Sequence, residues 1–235
     1  MLNSKWLELS TKENDIPPGF IFVETNPPRW MSKIPFASLY YTSKYLDNNW
    51  VMPFLMPDGK TFVGMTDTPQ MLKFDMETLE QKGFLEWEDG LKCNMAATHV
   101  KNLPNGDMIG VCTEIGEKGN KFITSYRVTK DNIHMRNVIG RVPTNSLLYQ
   151  HAFGMSGEYI AIFEHPVTVS LMDLILGYDM IHAMHLNQTA TTKIHLVSIA
   201  DGSFKTIETG IYFQMVHMGN SFVKDGKFIC DATIY

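Results

Sequence analysis

Histidine is the residue type that could carry chemistry in this chain of 235 residues, and eight are present. Imidazole can bind a metal or move a proton, but a histidine inside an alternating apolar strand is more often an ordinary packed side chain. Five are interpreted in that ordinary way, namely His134, His165, His182, His185 and His195. His99, His151 and His217 differ, because each lies near the end of a predicted strand and beside a turn. They are the candidate site residues, since a fold can bring strand ends that are distant in sequence to one point.

Short β-rich segments separated by turn residues follow one another along most of the chain. Examples are WVMPFL and TFVGMT around MPDGK, and MVHMGNSFV and KFICDATIY around KDG. Asp-Gly between alternating apolar residues is a strong hairpin signal. Evenly spaced hairpins favour a sandwich, barrel or propeller, and the spacing allows propeller blades of about 40 to 50 residues. The exception is the apolar stretch between Val169 and Leu186, which is predicted to be a helix or a packed loop.

Composition excludes several classes of function. The chain is 44% hydrophobic and therefore globular, and its net charge of −5 argues against nucleic acid as a partner. Three cysteines without a CxxC pair favour a reducing compartment over a disulfide scaffold. No secretory signal is evident, and no apolar run reaches the roughly 18 residues that a membrane span needs, so the predicted location is cytoplasmic.

Four phrases in the sequence carry a resemblance to a known family. They are THVKNLPNGDM around His99, QHAFGMSGEYIAIFEHPV around His151, VHMGNSFVKDGKFICD around His217, and an upstream stretch that contains MTDTP and METLE. In this order and spacing they resemble segments of the carotenoid cleavage oxygenases, a family that includes retinoid isomerohydrolases. The resemblance runs from about Asp47 to Tyr235. It divides the chain into a divergent segment, 1–46, and a partial oxygenase domain, 47–235.

The resemblance implies an all-β fold, a seven-bladed β-propeller of which this chain would form about three to four blades, with one helical or loop insertion. It implies an axial Fe(II) held by four histidines, and His99, His151 and His217 stand at three of those positions. Asp67 stands where the family has a glutamate whose carboxylate holds a ligand histidine. Since aspartate is one methylene shorter, we expect a longer hydrogen bond, a water relay or a shifted strand. Asp67-Thr68-Pro69 is also a common turn sequence.

The activity implied by the resemblance is oxidative cleavage of a conjugated double bond, with a carotenoid or apocarotenoid and dioxygen as substrates and two carbonyl products. An isomerohydrolase acting on retinoids is the alternative within the family. The sequence contains no histidine after His217 that could be the fourth ligand, which leaves an inactive carotenoid- or lipid-binding fragment as a third hypothesis. A generic propeller that binds other proteins would not explain three ligand phrases in order. Peripheral membrane contact is predicted for the apolar stretches 34–41 and 170–186.

Overall fold

The computed structural model of the chain describes residues 51–170, 172–173, 183–187 and 189–234. These residues form 17 β-strands and a single 3-10 turn, Glu117–Gly119. The prediction of an all-β fold is confirmed. Within the same residues, no helix has the length and apolar character needed to cross a membrane. The predicted boundary at residue 46 and the apolar stretch 34–41 lie outside the described residues.

Three successive sheets and a final hairpin make up the fold. The first sheet contains β1 (Met52–Leu55), β2 (Phe62–Met65), β3 (Leu72–Phe74) and β4 (Gln81–Phe84) in that order. The second contains β5 (Cys93–Ala96), β7 (Met108–Ile115), β8 (Lys121–Thr129) and β9 (Asn132–Thr144), and the short β6 (Lys101–Asn102) also pairs with β7.

The third sheet contains β10 (Gly154–Met155), β11 (Tyr159–Glu164), β14 (Lys193–Ser198) and β15 (Phe204–Glu208). A separate ladder of β12 (Val167–Val169) and β13 (Met184–Leu186) lies between β11 and β14 in the chain. The last hairpin pairs β16 (Met215–Lys224) with β17 (Lys227–Ile234). All pairings are antiparallel, as expected for strands joined by short turns.

Turn chemistry explains where these strands end. In MPDGK, the Asp58 carboxylate accepts the backbone N–H groups of Lys60 and Thr61 at 3.0 Å each, and Gly59 has a φ of 68°. Asp225 and Gly226 form the two-residue loop between β16 and β17 with φ values of 51° and 69°. A two-residue turn of this kind needs positive φ at both positions, which Asp-Gly tolerates best.

The core lies between neighbouring sheets, as in the blades of a propeller. In β7, Met108 and Cys112 pack in a cluster with the first sheet, while Ile109 and Val111 pack in a cluster with the third. Alternate residues of a strand point to opposite faces, so β7 is covered on both. A further cluster joins the third sheet to the β16–β17 hairpin. The predicted three to four blades are therefore present as three sheets and one hairpin.

For the stretch between Val169 and Leu186, the expectation of a helix or a packed loop is tested only at the ends, which lie in the paired strands β12 and β13. Residues 172–173 are helical, and 171 and 174–182 lie outside the described residues. An apolar segment without turn residues can be a buried strand or a helix, and the sequence alone does not distinguish them. The distinction requires the pairing partner of the segment, which only the fold supplies.

The cysteines do not follow the expectation from the sequence. Cys93 in β5 and Cys112 in β7 are joined by a disulfide bond, with their Cα atoms 5.7 Å apart, while Cys230 is free. The expectation of reduced cysteines is wrong for this pair. The antiparallel register of β5 and β7 brings the two side chains together, and their separation of 19 residues along the chain gave no sign of it.

Candidate metal centre

The three candidate histidines come from the second sheet, the third sheet and the final hairpin, each within or near the first strand of that unit. His99 lies three residues after β5 ends at Ala96, and His151 lies three residues before β10 begins at Gly154. His217 is the third residue of β16, at an irregularity in its pairing with β17. Such bulges redirect side chains. Since β5, β10 and β16 are each the first strand of their sheet, the histidines occupy the same edge of adjacent blades.

The imidazole rings converge on one point. The Nε2 atom of His151 lies 3.1 Å from that of His99 and 3.2 Å from that of His217. One nitrogen from each ring lies within 4.8 Å of the other two, and the ring planes are inclined to one another by 70° to 81°. The backbone N–H of His99 also donates to the carbonyl oxygen of His151 at 3.2 Å. The structure thus brings the predicted residues together, while their role as metal ligands stays a prediction.

The surroundings of His99 favour a neutral imidazole. Burial first, and then the neighbouring rings of His151 and His217, lower the pKa of His99 to about 4, against a smaller opposing effect of Asp67. At neutral pH the His99 ring is therefore uncharged. A neutral imidazole has an unshared electron pair on one nitrogen, which is the form that binds a metal.

Asp67 binds the His151 ring on the side that faces away from the cluster. Its Oδ1 atom lies 2.8 Å from Nδ1 of His151. A carboxylate only accepts, so Nδ1 carries the proton and Nε2 presents its electron pair to the centre of the cluster. The longer or water-relayed contact expected for the shorter side chain is not found, because Asp67 reaches the ring directly. Asp67 follows β2, and its carbonyl oxygen accepts the N–H of Ala96 at 3.4 Å, which joins the first two sheets beside the site.

Two further residues of the site were missed by the sequence reasoning. The hydroxyl of Thr98 donates to Asp67 Oδ1 at 2.7 Å, and the hydroxyl of Tyr149 donates to Asp67 Oδ2 at 2.5 Å. The sequence indicates these two residues only weakly, through their closeness to candidate ligands. Thr98 directly precedes His99, and Tyr149 lies two residues before His151. Residues two apart in an extended segment point to the same side, so Tyr149 faces the site together with His151.

The cluster fits a divalent transition metal. All three groups are imidazoles, which suit iron, zinc, copper and nickel. Ligand nitrogens about 2.1 Å from a metal and at right angles to each other lie about 3 Å apart, and the spacings at His151 are 3.1 and 3.2 Å. Because Nδ1 of His151 carries the proton that binds Asp67, the Nε2 atom has one free electron pair, which faces Nε2 of both His99 and His217. One electron pair cannot make a good hydrogen bond to both neighbours. A metal ion between the three nitrogens would bind an electron pair from each ring.

The histidines dismissed from the sequence have other surroundings. His195 is buried between Glu164 Oε2 at 2.7 Å and Thr206 Oγ1 at 2.9 Å, and His165 is buried at the end of β11. His134 contacts the carbonyl oxygen of Glu86, and His185 contacts Asp173. Within the described ranges these four do not join the cluster, and His182 lies outside them.

Comparison with curated proteins finds similar sequences among carotenoid-cleaving enzymes. The chain is 24% identical over 209 residues to carotenoid isomerooxygenase of Drosophila melanogaster, covering 85% of this chain and 33% of that protein. It is 22% identical over 259 residues to β,β-carotene 15,15′-dioxygenase of Rattus norvegicus, covering 99% of this chain and 45% of that protein. The chain thus spans about a third to a half of the length of these relatives.

Solved structures share the fold at low sequence identity. A lignostilbene dioxygenase of Pseudomonas brassicacearum superposes with a TM-score of 0.65 at 16% identity, over 81% of this chain and 39% of that one. Cobalt-substituted Synechocystis ACO superposes with a TM-score of 0.58 at 16% identity, over 76% of this chain and 38% of that one. The predicted partial propeller is therefore confirmed.

Residues 35–235 match the family described as retinal pigment epithelial membrane protein. This match covers most of the chain and includes His99, His151, His217 and Asp67. The family resemblance inferred from four short phrases is thereby confirmed, and the chain belongs to this family, in agreement with its similarity to the curated carotenoid-cleaving enzymes.

Proposed function

We propose that the chain forms the metal-binding part of a non-haem Fe(II) dioxygenase that cleaves a conjugated double bond of a carotenoid or apocarotenoid. The observation that carries the proposal is the convergence of the His99, His151 and His217 Nε2 atoms in front of a carboxylate-held ring. The names of the relatives support the substrate class, since they include a carotene dioxygenase and a carotenoid isomerooxygenase.

Each residue has a role that follows from its contacts. The three histidines would hold Fe(II), and the low pKa of His99 keeps its ring available at neutral pH. Asp67 keeps the Nδ1 proton of His151 in place and so fixes the direction of its Nε2 atom. Bound Fe(II) would supply the redox chemistry that joins dioxygen to the two carbons of the double bond. A fourth histidine ligand, as the resemblance implies, would complete the set.

Iron content and oxygen labelling test this proposal. We expect the purified chain to bind about one Fe(II) per molecule, and His151→Ala to lose it because the central ring of the cluster is removed. The matched control is His185→Ala, whose imidazole is 59% exposed and contacts Asp173 away from the cluster; it should bind iron as the wild type does. A wild-type chain that binds no Fe(II) would contradict the metal site.

Product analysis separates the two activities found in the family. With ¹⁸O₂ and β-carotene or an apocarotenal, the oxygenase hypothesis predicts aldehydes that carry the label and depend on His151. Release of an isomerised retinol from a retinyl ester, without oxygen consumption, would instead assign the isomerohydrolase activity. Iron binding without either product would assign a binding function only.

The second part of the proposal is that the protein, which is predicted to be cytoplasmic, contacts a membrane surface. Met172 and Leu186 flank the apolar stretch 174–182 and expose 62% and 47% of their surfaces. Exposed apolar groups beside an apolar stretch favour contact with lipid, where the insoluble substrate is dissolved. Flotation of the chain with neutral phosphatidylcholine vesicles tests this, and a chain that stays in the pellet fraction would exclude it.

A further inference from the structure

The carboxylate of Asp67 is the centre of a hydrogen-bonded group that spans three sheets. Its Oδ1 accepts from His151 Nδ1 at 2.8 Å and from Thr98 Oγ1 at 2.7 Å, and its Oδ2 accepts from Tyr149 OH at 2.5 Å. Asp67 lies between β2 and β3 of the first sheet, Thr98 lies between β5 and β6 of the second, and Tyr149 precedes β10 of the third. Thr98 is fully buried, so the group is shielded from water at that end.

We propose that Tyr149 is a positioning residue of the metal site, which acts by fixing the orientation of the Asp67 carboxylate. The inference rests on the proposed metal site and assigns a role to a residue that does not itself touch the ion. In this arrangement Tyr149 occupies one carboxylate oxygen, and the other oxygen is left to hold the proton of His151.

The physical need for such a residue comes from the freedom of an aspartate side chain. Rotation about the bond that carries the carboxylate is soft, so the aspartate itself does not fix the plane of its carboxylate. The Tyr149 hydroxyl helps to fix that plane, because a charge-assisted O–H···O⁻ bond of 2.5 Å is among the strong ones. With Oδ2 held, Oδ1 stays aligned with the His151 ring.

The Tyr149 ring adds a second constraint. It lies nearly parallel to the His151 ring, with 18° between the planes and 6.2 Å between the centroids. The hydroxyl oxygen also lies 3.4 Å from His151 Nδ1, at the limit of hydrogen bonding. The tyrosine thus borders both the carboxylate and the imidazole that it orients. Thr98 binds the same oxygen as His151 and does not hold Oδ2.

Co(II) binding tests the proposal without catalysis. Co(II) is the probe because its visible absorption reports the number and geometry of its ligands, and its affinity can be titrated on the whole chain. We expect Tyr149→Phe to weaken Co(II) about tenfold and to alter the visible spectrum, since loss of an outer partner of a ligand typically costs 10- to 100-fold in affinity. The chain should still fold as the wild type does, because the ring is retained, and far-UV circular dichroism checks this. The matched control, Tyr159→Phe, removes a hydroxyl from an exposed residue of β11 and should change neither the Co(II) affinity nor the visible spectrum.

A double variant shows whether Tyr149 acts through Asp67. In the Asp67→Ala background, Tyr149→Phe should weaken Co(II) by less than about twofold, because the group that it orients is gone. Equal Co(II) affinity and spectra for wild type and Tyr149→Phe would overturn the positioning role while leaving the metal site intact. Equal tenfold losses in both backgrounds would also overturn it. A wild-type chain that binds no Co(II) would overturn the metal site and this inference together.

Discussion

The second sheet and the final hairpin each supply one histidine to the cluster, but their surroundings differ. In β7 of the second sheet every residue except Ile115 is buried, with apolar clusters on both faces. In β16 Met215 alone is buried, and β17 has no buried residue among those described. Accordingly, His99 beside the second sheet is half-buried, whereas His217 on the hairpin is exposed. A two-stranded hairpin is marginally stable alone, so the position of His217 depends on how the hairpin docks.

The site therefore has two parts that are held in place by different contacts. The backbone N–H of His99 donates to the His151 carbonyl oxygen, and Asp67 binds the His151 ring, within sheets that are packed on both sides. His217 is carried by a hairpin that, among the described residues, packs against the third sheet only. We therefore expect disturbance of the second sheet to affect the whole fold, and disturbance of the hairpin contacts to affect mainly His217.

The largest effect is expected from the buried ion pair that joins the second sheet to the connection between β4 and β5. Arg136 in β9 contacts Asp89 at 2.6 Å, with both side chains at most 7% exposed, and its guanidinium lies 4.6 Å from the Trp87 ring centre. Arg136→Leu should lower the free energy of unfolding by about 3 to 5 kcal/mol, because the Asp89 carboxylate remains buried without its partner. Urea denaturation measures the change.

The exposed ion pair between Lys82 and Glu80 is the control for that variant, with side chains 51% and 70% exposed. Lys82→Ala should change the free energy of unfolding by less than about 1 kcal/mol. Similar losses for Arg136→Leu and Lys82→Ala would contradict the view that the second sheet is held by its buried charges.

A smaller effect is expected from pH at the junction of the third sheet and the hairpin. His165 is 3% exposed, burial lowers its pKa to about 4, and its Nδ1 accepts the N–H of Met215, the first residue of β16. The unfolded chain takes up this proton near pH 6.5 and the folded chain only near pH 4. Stability is therefore complete above pH 6.5 and falls as the pH drops towards 4, by up to about 3 kcal/mol.

Comparison with His165→Leu isolates this histidine from the carboxylates that titrate in the same range. The variant should lose less stability than the wild type between pH 6.5 and 4, as measured by urea denaturation at each pH. Parallel pH profiles for the two proteins would show that His165 does not control docking of the hairpin.

The smallest effect is expected from a single hydroxyl at the same junction. Ser221 in β16 accepts the N–H of Met155 at 2.8 Å and donates to the Met155 carbonyl oxygen at 2.7 Å. Ser221→Ala should cost about 1 to 2 kcal/mol, the contribution of two ordinary hydrogen bonds. Hydrogen exchange should speed up in β16 and β17 and stay unchanged in the second sheet. Ser203→Ala, in an exposed turn, is the control. Faster exchange throughout the chain would argue against independent docking of the hairpin.

Local sequence was sufficient for the hairpins, because their turns depend on short-range chemistry. The Asp-Gly pairs of MPDGK and KDG stand where the structure has turns, and the alternating residues beside them form the predicted strands. The same reasoning missed the pairing of β12 with β13 at the two ends of the stretch from Val169 to Leu186, because this pairing crosses a long connection. It also failed for Cys93 and Cys112, whose contact requires the register of β5 and β7.

The sequence by itself determined the all-β class and the family, and it predicted the three histidines and one aspartate of the site, because each lies in a short phrase that stays recognisable without the fold. Only the tertiary structure decided that the histidine nitrogens meet, that Asp67 reaches His151 directly, and that Thr98 and Tyr149 bind the same carboxylate. These contacts join residues 31 to 84 positions apart on different sheets. Distances of that kind are set by the packing of one sheet on the next, which no local pattern of residues contains.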